Sequence, residues 1–192
     1  PILPTRFQAM YTPSHFHIDD LPQLHALMRA HPLGALVTHG ADGLDANHLP
    51  FELVAPDAQD GAPPALGTLR AHVARANPLW QGLQGGAIDA RVMVVFRAEH
   101  AYVSPNGYPS KAIHHKAVPT WNYRVVHAHG MVTVREDEKF LRALVGKLTR
   151  THEASEAKPW TMAQAPRDYL DDMLGKIVGL EMLVPAGGAP AE

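Results

Sequence analysis

The stretch that decides the fold runs from Val92 to Gly130 and reads VMVVFRAEHAYVSPNGYPSKAIHHKAVPTWNYRVVHAHG. Its two ends are strongly apolar and have the composition of buried β-strands. Between them lie aromatic, imidazole, hydroxyl, ammonium and amide groups, which is typical of a loop that binds a ligand on a rigid scaffold. Aromatic side chains suit the face of a planar ligand, amides and hydroxyls its polar edge, and cations an attached phosphate.

Outward from this segment, the patterns predict mostly strands. GALVTHG (34–40) and LDANHLPFELV (44–54) predict two strands joined at Ala41-Asp42-Gly43, where Gly43 can take a positive φ. The stretch 92–104 predicts a buried strand and a continuation after a turn. Three more strands are predicted, at ALGTLRAHV (65–73), RVVHAHGMVTVRE (124–136) and IVGLEMLV (177–184).

The predicted helices are few and peripheral. Asp19 or Asp20 can cap a helix that has Pro22 in its first turn and ends at His31-Pro32. Three others are predicted: a short helix after Arg75, an amphipathic helix over 136–150 and a short helix over 166–174. Many strands with few helices favour a closed or partly closed barrel.

Length and composition are those of one globular domain. A chain of 192 residues with 46% hydrophobic and 19% charged residues can bury a sizeable core. No apolar run approaches the roughly 18 residues that a membrane span needs, and no signal-peptide core is present, so we expect a cytoplasmic protein without membrane association. The absence of cysteine excludes disulfides, thiolate catalysis and Cys-ligated metals.

The central segment resembles a known family through several long motifs. These are SPNGYPSK (104–111), VPTWNY (118–123) and VHAHG (126–130), and, in the same order as in the family, MYTPSHF (10–16), GALVTHGADGLDANHLPFEL (34–53) and GTLRAHVARANPLW (67–80). Together they resemble the PaiB-type family, described as FMN-binding negative transcriptional regulators. The resemblance runs from about Met10 to about Val184, which is nearly the whole chain.

The resemblance implies a mainly β fold with peripheral helices (α+β): the FMN-binding split β-barrel of pyridoxamine-phosphate-oxidase-like proteins. It implies FMN as the cofactor and a homodimer that holds the flavin at its interface. We expect an N-terminal extension over 1–9, a single split-barrel domain over 10–184 and a flexible tail over 185–192. Two departures stand out: family members often have Trp at the position of Gly107, and a Lys-rich segment where this chain has PAGGAPAE.

The predicted phosphate site lies where a strand ends and a helix begins. The sequence HVARANP places His72, Arg75 and Asn77 there, and free N–H groups with an arginine suit a phosphate. In split-barrel flavoproteins a basic residue after this strand usually meets the FMN phosphate, so the resemblance favours Arg75. The alternative is a solvated surface arginine, with Asn77 as a helix cap.

The predicted site for the edge of the flavin ring is Asn47, His48, Leu49 and Pro50. A proline within a strand indicates an edge or a bulge, where backbone groups stay free for a ligand. The alternative is an ordinary edge strand with His48 half exposed. Thr38, across the hairpin, is a weaker candidate.

A third group of candidates consists of Ser110, Lys111, Trp121, Asn122 and Tyr123. Lys111 could neutralise a phosphate or stabilise negative charge on the reduced flavin, and Trp121 or Tyr123 could cover the ring face. The alternative for Trp121 is an anchor in the core or at a dimer interface.

The 13 histidines raise the question of a metal. The pairs His15/His17 and His127/His129 have a spacing that can bind one, but no third ligand stands at a diagnostic distance. His114 could donate a proton to substrate or flavin, and the alternative is a hydrogen-bonded loop histidine.

Three functions compete at this point. The resemblance implies an FMN-binding homodimeric regulator; the alternatives are an FMN-dependent oxidoreductase that uses NAD(P)H on a small molecule or free flavin, and a His-rich metal- or haem-handling protein. DNA is a possible partner by family name alone, because a net charge of −2 and the lack of a helix-turn-helix motif give it no support.

Overall fold

The computed structural model describes residues 12–56 and 65–186. Within these residues the chain forms seven strands and five α-helices. The strands are β1 Leu33–Gly40, β2 Gly43–Pro50, β3 Glu52–Val54, β4 Ala65–Ala74, β5 Arg91–Val103, β6 Thr120–Arg135 and β7 Ile177–Pro185. The helices are α1 Leu21–Ala30, α2 Leu79–Gln84, α3 Lys111–His114, α4 Glu138–Glu153 and α5 Arg167–Gly175.

Local signals in the sequence explain several element boundaries. The Asp20 side chain accepts a hydrogen bond from Gln23 N at 3.3 Å, and the Asp137 side chain accepts one from Phe140 N at 2.9 Å, so each caps a helix. Gly43 follows the β1–β2 turn with φ of 104°, a conformation that favours glycine. The hairpin predicted at Ala41-Asp42-Gly43 is confirmed.

The strands form one antiparallel sheet in the order β2-β1-β5-β6-β7-β4-β3. Its two outermost strands, β2 and β3, follow each other in the chain and are separated by Phe51 alone. The two edges of the sheet are therefore one bent segment, which pairs with β1 before the bend and with β4 after it. This connection closes the sheet into the predicted barrel, and the prediction of a mainly β split barrel is confirmed.

The barrel interior is filled by alternate side chains of the strands. Phe51 is buried and packs edge-on against Phe96, with ring centroids 5.7 Å apart. A second, smaller cluster forms where α4 and α5 cover the outer face of β4 and β7. There Arg70 and Arg135 both donate to Glu181, at 2.7 and 2.6 Å, and both guanidinium groups lie over the ring of Phe140.

Two strand predictions were wrong in detail. The stretch 92–104 contains no turn: β5 is continuous, with a shift in register between Arg97 and His100. Strand β6 begins at Thr120, so Trp121 and its two neighbours belong to a strand and not to the loop. The reason in both cases is the pairing of β5 with β6, which extends the two strands well past the apolar part of the sequence.

Some predicted segments lie outside the described residues. These are the predicted N-terminal extension (1–9) and residues 187–192 of the predicted tail. Pro185, the first residue of that predicted tail, is the last residue of β7.

Gly130 in β6 provides a test of the close strand packing. A Cβ atom at this position would overlap the Leu183 carbonyl oxygen and lie 2.9 Å from Met182 Cγ. We predict that Gly130→Ala lowers the free energy of unfolding by about 2–3 kcal/mol, because a backbone atom cannot move aside as a flexible side chain can. Chemical denaturation measures the effect. Gly175→Ala is the control, since its Cβ would meet nothing within 4 Å, and equal stability of the two variants would contradict the prediction.

Candidate functional site

A split in the barrel lies between β2 and the second half of β4. Strand β3 pairs with β4 only from Thr68 to Arg70, and beyond Arg70 the described strands pair with β4 on its β7 side alone. Continuing the β3–β4 register would bring Pro50 opposite His72, but at Phe51 the chain bends toward β1. Strand β2 lies close to β4 without pairing with it, so both strands present unpaired backbone groups to the split.

Side chains from β2 and from the connection between β4 and α2 meet at this split. Asn77 Nδ2 donates to Asn47 Oδ1 at 3.0 Å, and Asn77 Oδ1 accepts from Leu79 N at 2.9 Å. Asn47 Nδ2 donates in turn to Asp45 Oδ2 at 3.1 Å. The two asparagines, predicted separately as ring-edge and phosphate groups, are therefore in direct contact, and Asn77 also holds the first turn of α2.

Arg75 lies at the end of β4 and already has several partners. Its guanidinium donates to the Gly175 carbonyl at 2.9 Å, to the Ile177 carbonyl at 3.3 Å and to Glu136 Oε2 at 2.7 Å. The ring of Trp80 lies 5.6 Å from the guanidinium carbon. These bonds use three of the five N–H groups of Arg75, so two stay available for a ligand, next to a competing carboxylate.

The sequence analysis did not identify Glu136 and Trp80 as partners of the Arg75 guanidinium. Glu136 lies 61 positions from Arg75, and no sequence pattern links the two. The bond between these side chains also holds the pKa of the Glu136 carboxyl below its ordinary value, so this carboxylate is charged near neutral pH. Trp80 could have been found, because it belongs to the motif GTLRAHVARANPLW; its Nε1 donates to the Arg75 carbonyl at 2.9 Å.

His72 in β4 and residues 48–50 of β2 also border the split, from opposite sides. His72 Nδ1 is buried and lacks a hydrogen-bond partner among the described residues, and burial lowers the pKa of this imidazole. His48 and Pro50 are exposed on the outer face, while Leu49 packs against the core. Thr38, the weaker candidate, is buried in β1.

The remaining predicted residues lie on a separate structure, which we call the arm. The arm is the part of the β5–β6 hairpin from Glu99 to Arg124, which extends past the pairing of β5 with β1 and of β6 with β7. Its aromatic side chains are exposed: Tyr102 to 58%, Trp121 and Tyr123 to 54% each. The Trp121 ring stacks on His100 at 5.8 Å and donates to its Nδ1 at 3.3 Å.

The end of the arm carries an open pocket of about 440 Å³. We call it the tip pocket; its lining residues are Asn106, Gly107, Tyr108, Pro109, Lys111 and His115. Lys111 Nζ donates to Asn106 Oδ1, and Ser110 precedes the single turn of α3. The predicted proton donor His114 is exposed and accepts a hydrogen bond from Lys116 N at 3.0 Å.

Within one chain the split and the arm are far apart. Asn47 pairs with Leu36, and Leu36 pairs with Val94 of β5. Trp121 of β6 lies opposite Tyr102 of β5, and Tyr102 is further along β5 than Val94. From Val94 to Tyr102 an extended strand covers about 25 Å. The structure thus brings together the predicted phosphate and ring-edge residues, and it leaves the arm residues outside that site.

The histidine pairs do not form a metal centre in the described part of the chain, where no group of three or more potential ligands comes together. His127 and His129 point from β6 toward the same outer face, and burial lowers the pKa of His129. Among the described helices, none is long and apolar enough to cross a membrane.

Comparison with known proteins gives the family. Residues 10–186 match the family described as "Putative FMN-binding domain". The chain belongs to this FMN-binding family. The match covers the whole barrel, the split and the arm, and it confirms the family that the motifs resembled. FMN is therefore the cofactor of this protein.

Similar proteins in the FMN-binding family occur in fungi and bacteria. The chain is 32% identical to the uncharacterized protein AN0679 of Emericella nidulans, over 84% of this chain and 74% of the relative. It is 26% identical to protease synthase and sporulation protein PAI 2 of Bacillus subtilis, over 91% and 77%. Among solved structures, the FAD and heme binding protein from Mycobacterium smegmatis has a TM-score of 0.58 at 16% identity, over 92% and 72%, a likeness that shows the fold alone.

The residues at the split fit FMN. A phosphate needs donors, and Arg75 beside the split has two N–H groups that its three hydrogen bonds leave available. His72 Nδ1 is a second potential donor, because it has no hydrogen-bond partner among the described residues. A pyrimidine ring edge needs alternating donors and acceptors, which the unpaired backbone of β2 and the amides of Asn47 and Asn77 supply.

The buried imidazole of His72 predicts a pH dependence of stability. Its pKa is lowered in the folded state from 6.5, so below about pH 6.5 the unfolded chain takes up a proton that the folded chain resists. The free energy of unfolding should therefore fall as the pH falls from 7.5 to 5. We predict that His72→Gln makes this fall smaller, as measured by urea denaturation at each pH.

The matched control is His152→Gln, which removes an exposed histidine from α4 and should leave the pH dependence unchanged. An identical dependence in the wild type and His72→Gln would mean that His72 is not held neutral by burial.

Proposed function

We propose that this protein is a homodimeric FMN-binding protein in which the flavin lies between the split of one protomer and the arm of the other. Asn47, His48, Leu49 and Pro50 meet the ring edge, and His72, Arg75 and Asn77 meet the phosphate. Trp121, Asn122 and Tyr123 of the second copy cover the ring, with Ser110 and Lys111 further out on the arm.

The observation that carries this proposal is the distance between the two groups of residues. Both groups have the chemistry of a flavin site, yet in one chain about 25 Å of strand separates them. A single ligand can contact both groups only if a second chain supplies one of them. A symmetric dimer does this twice, because each copy gives its arm and receives the arm of the other.

The exposed arm supports the same arrangement. A two-stranded ribbon on its own is at best marginally stable in water, and this one exposes Tyr102, Trp121 and Tyr123 by more than half of each side chain. On the outer face of β1 and β5, the half-buried side chains of Val37, Met93 and Val95 offer an apolar surface to a second copy. Packing an arm on such a surface would remove both from water.

For the output of this dimer we propose the regulatory role that the PaiB-type resemblance implies. Its support is the similarity to the Bacillus subtilis protein named protease synthase and sporulation protein PAI 2. A regulator needs a partner that senses its flavin-bound state. The net charge of −2 gives no support to DNA as that partner.

The second candidate is an FMN-dependent oxidoreductase, and the open tip pocket favours it. Bound FMN would supply hydride transfer, while the side chains at the split orient the ring and the arm excludes water. A titration with NADPH separates the two functions. Bleaching of the flavin absorbance under anaerobic conditions, together with turnover in air, supports the oxidoreductase. A flavin that NADPH leaves oxidised argues against it and leaves the regulator.

Arg75 and Glu136 give a paired test of the phosphate site. We predict that Arg75→Ala weakens FMN binding by about 1.5–3 kcal/mol, the range for hydrogen bonds to a charged group. Glu136→Gln should strengthen binding, because it removes the carboxylate that competes with the phosphate for Arg75. Quenching of flavin fluorescence measures both. Weaker binding in Glu136→Gln would mean that Glu136 orients Arg75, and unchanged binding in Arg75→Ala would exclude Arg75 as a ligand.

The arm gives a test of the dimer. We predict that Trp121→Ala shifts the protein toward monomer and weakens FMN binding in parallel, because the same side chain packs on the second copy and on its flavin. Light scattering after size-exclusion chromatography measures the mass. Trp160→Ala is the control, since Trp160 is also exposed but lies near the end of α4, away from the arm.

A mixing experiment tests whether each site is built from two chains. Arg75→Ala damages the split and Asn122→Ala damages the arm, so each variant alone should bind FMN poorly. In a hybrid dimer one intact split faces one intact arm, and mixing the refolded variants should restore part of the binding. Failure to restore any binding, with hybrid dimers present, would contradict a shared site.

A further inference from the structure

We propose that the tip pocket is a second binding site, for a small aromatic compound that carries a phosphate or carboxylate group. In this site the Lys111 ammonium group binds the anion, and Gly107 leaves room for the ring. The pocket is built from one short segment of a single chain, so the proposal does not depend on the shared flavin site.

The first observation is the distribution of charge along the chain. Between Glu99 and Glu136 the sequence contains no acidic residue, although the whole protein has 19. The same stretch contains Lys111, Lys116 and several histidines. The arm is therefore cationic in a protein of net charge −2, and it attracts anions from solution.

The second observation concerns the partner of Lys111. Its ammonium group donates to the side-chain oxygen of Asn106, which is a neutral acceptor. Within the described ranges, none of the ion pairs involves Lys111. By contrast, Arg124 at the base of the arm is paired with Glu99 at 2.5 Å. Asn106 thus holds the Lys111 side chain at the pocket without neutralising its charge, which leaves the charge for a ligand.

The third observation is the backbone at His115. This residue has φ of 54° and is the one non-glycine residue with a positive φ among the described residues. It ends the single turn of α3, a position at which glycine is the usual choice. A side chain in this conformation costs about 1–2 kcal/mol. The chain keeps an imidazole there, and that imidazole lines the pocket beside Lys111.

The fourth observation is the space beside Gly107. A Cβ atom at this position would meet nothing within 4 Å, and the φ of Gly107 is not positive. Neither packing nor backbone conformation therefore requires glycine. The consequence of having glycine here is open volume at the pocket, next to the ring of Tyr108 and to Pro109.

Together these features define the class of ligand. A pocket of about 440 Å³ is in the size range of small-molecule sites. The ammonium of Lys111 and the imidazole of His115 suit one anionic group, and the flat surfaces of Tyr108 and Pro109 suit an aromatic ring. If the protein turns over a substrate, this pocket selects compounds of that class.

The experiment titrates the FMN-loaded protein separately with phenyl phosphate, benzoate and inorganic phosphate, and follows each titration by amide shifts in ¹H–¹⁵N spectra. Comparison of phenyl phosphate with benzoate identifies the anionic group. Comparison of phenyl phosphate with inorganic phosphate measures the contribution of the ring.

Four variants carry the test. Lys111→Met should weaken the binding of the preferred aromatic anion by about 10- to 100-fold, the equivalent of one lost charge-assisted hydrogen bond. Lys139→Met, which removes an exposed lysine from α4, is the control for net charge and should have little effect. Gly107→Phe should block the aromatic anions by filling the pocket, while Gly107→Ala, which adds one methyl group to open space, should still bind them.

Three results would overturn the proposal. One is the absence of amide shifts over residues 104–116 at millimolar concentrations of the aromatic anions. Another is an equal loss of binding in Lys111→Met and Lys139→Met, which would indicate general attraction by charge. The third is loss of FMN together with the anion in Lys111→Met, which would assign Lys111 to the flavin site.

Discussion

The bend at Phe51 is the constraint on which the rest of the structure depends. Because β2 and β3 are one segment, the sheet closes by the continuity of the chain and not by a complete ladder of hydrogen bonds. Phe51 fixes the bend by burying its ring against Phe96 and by donating its N–H to the Pro32 carbonyl at 2.9 Å. The barrel thereby closes while part of β2 and β4 stays unpaired, and this unpaired part is where we propose that the flavin binds.

The second consequence of the architecture is the arm. Strands β5 and β6 continue to pair after their other neighbouring strands have ended, and Tyr102 and Trp121 on that extension are each more than half exposed. Such a ribbon offers aromatic surface to a second molecule. In the proposed dimer the same surface completes the flavin site, so association and cofactor binding depend on one set of contacts.

Charges in the described chain serve two different purposes. Several are paired in the sheet and beside the helices: Arg70 and Arg135 share Glu181, and Arg75 contacts Glu136. Such pairs fix strands and helix ends in position. The arm has no acidic residue after Glu99, and Lys111 keeps its full charge beside a neutral amide. This contrast supports the proposed role of Lys111 as a group that binds an anionic ligand.

The sequence by itself determined the family, the cofactor and most elements, because motifs, alternating apolar residues, caps and turns act over a few neighbouring residues. It also predicted Asn47 and Asn77 as site residues, and the tertiary structure adds that their side chains are in contact. Only the tertiary structure decided three other features. These are the partners of Arg75, the closure of the barrel at Phe51 and the separation of Trp121 from the split. Each depends on residues tens of positions apart, whose contacts arise when strands pair in register, and no local pattern encodes that register.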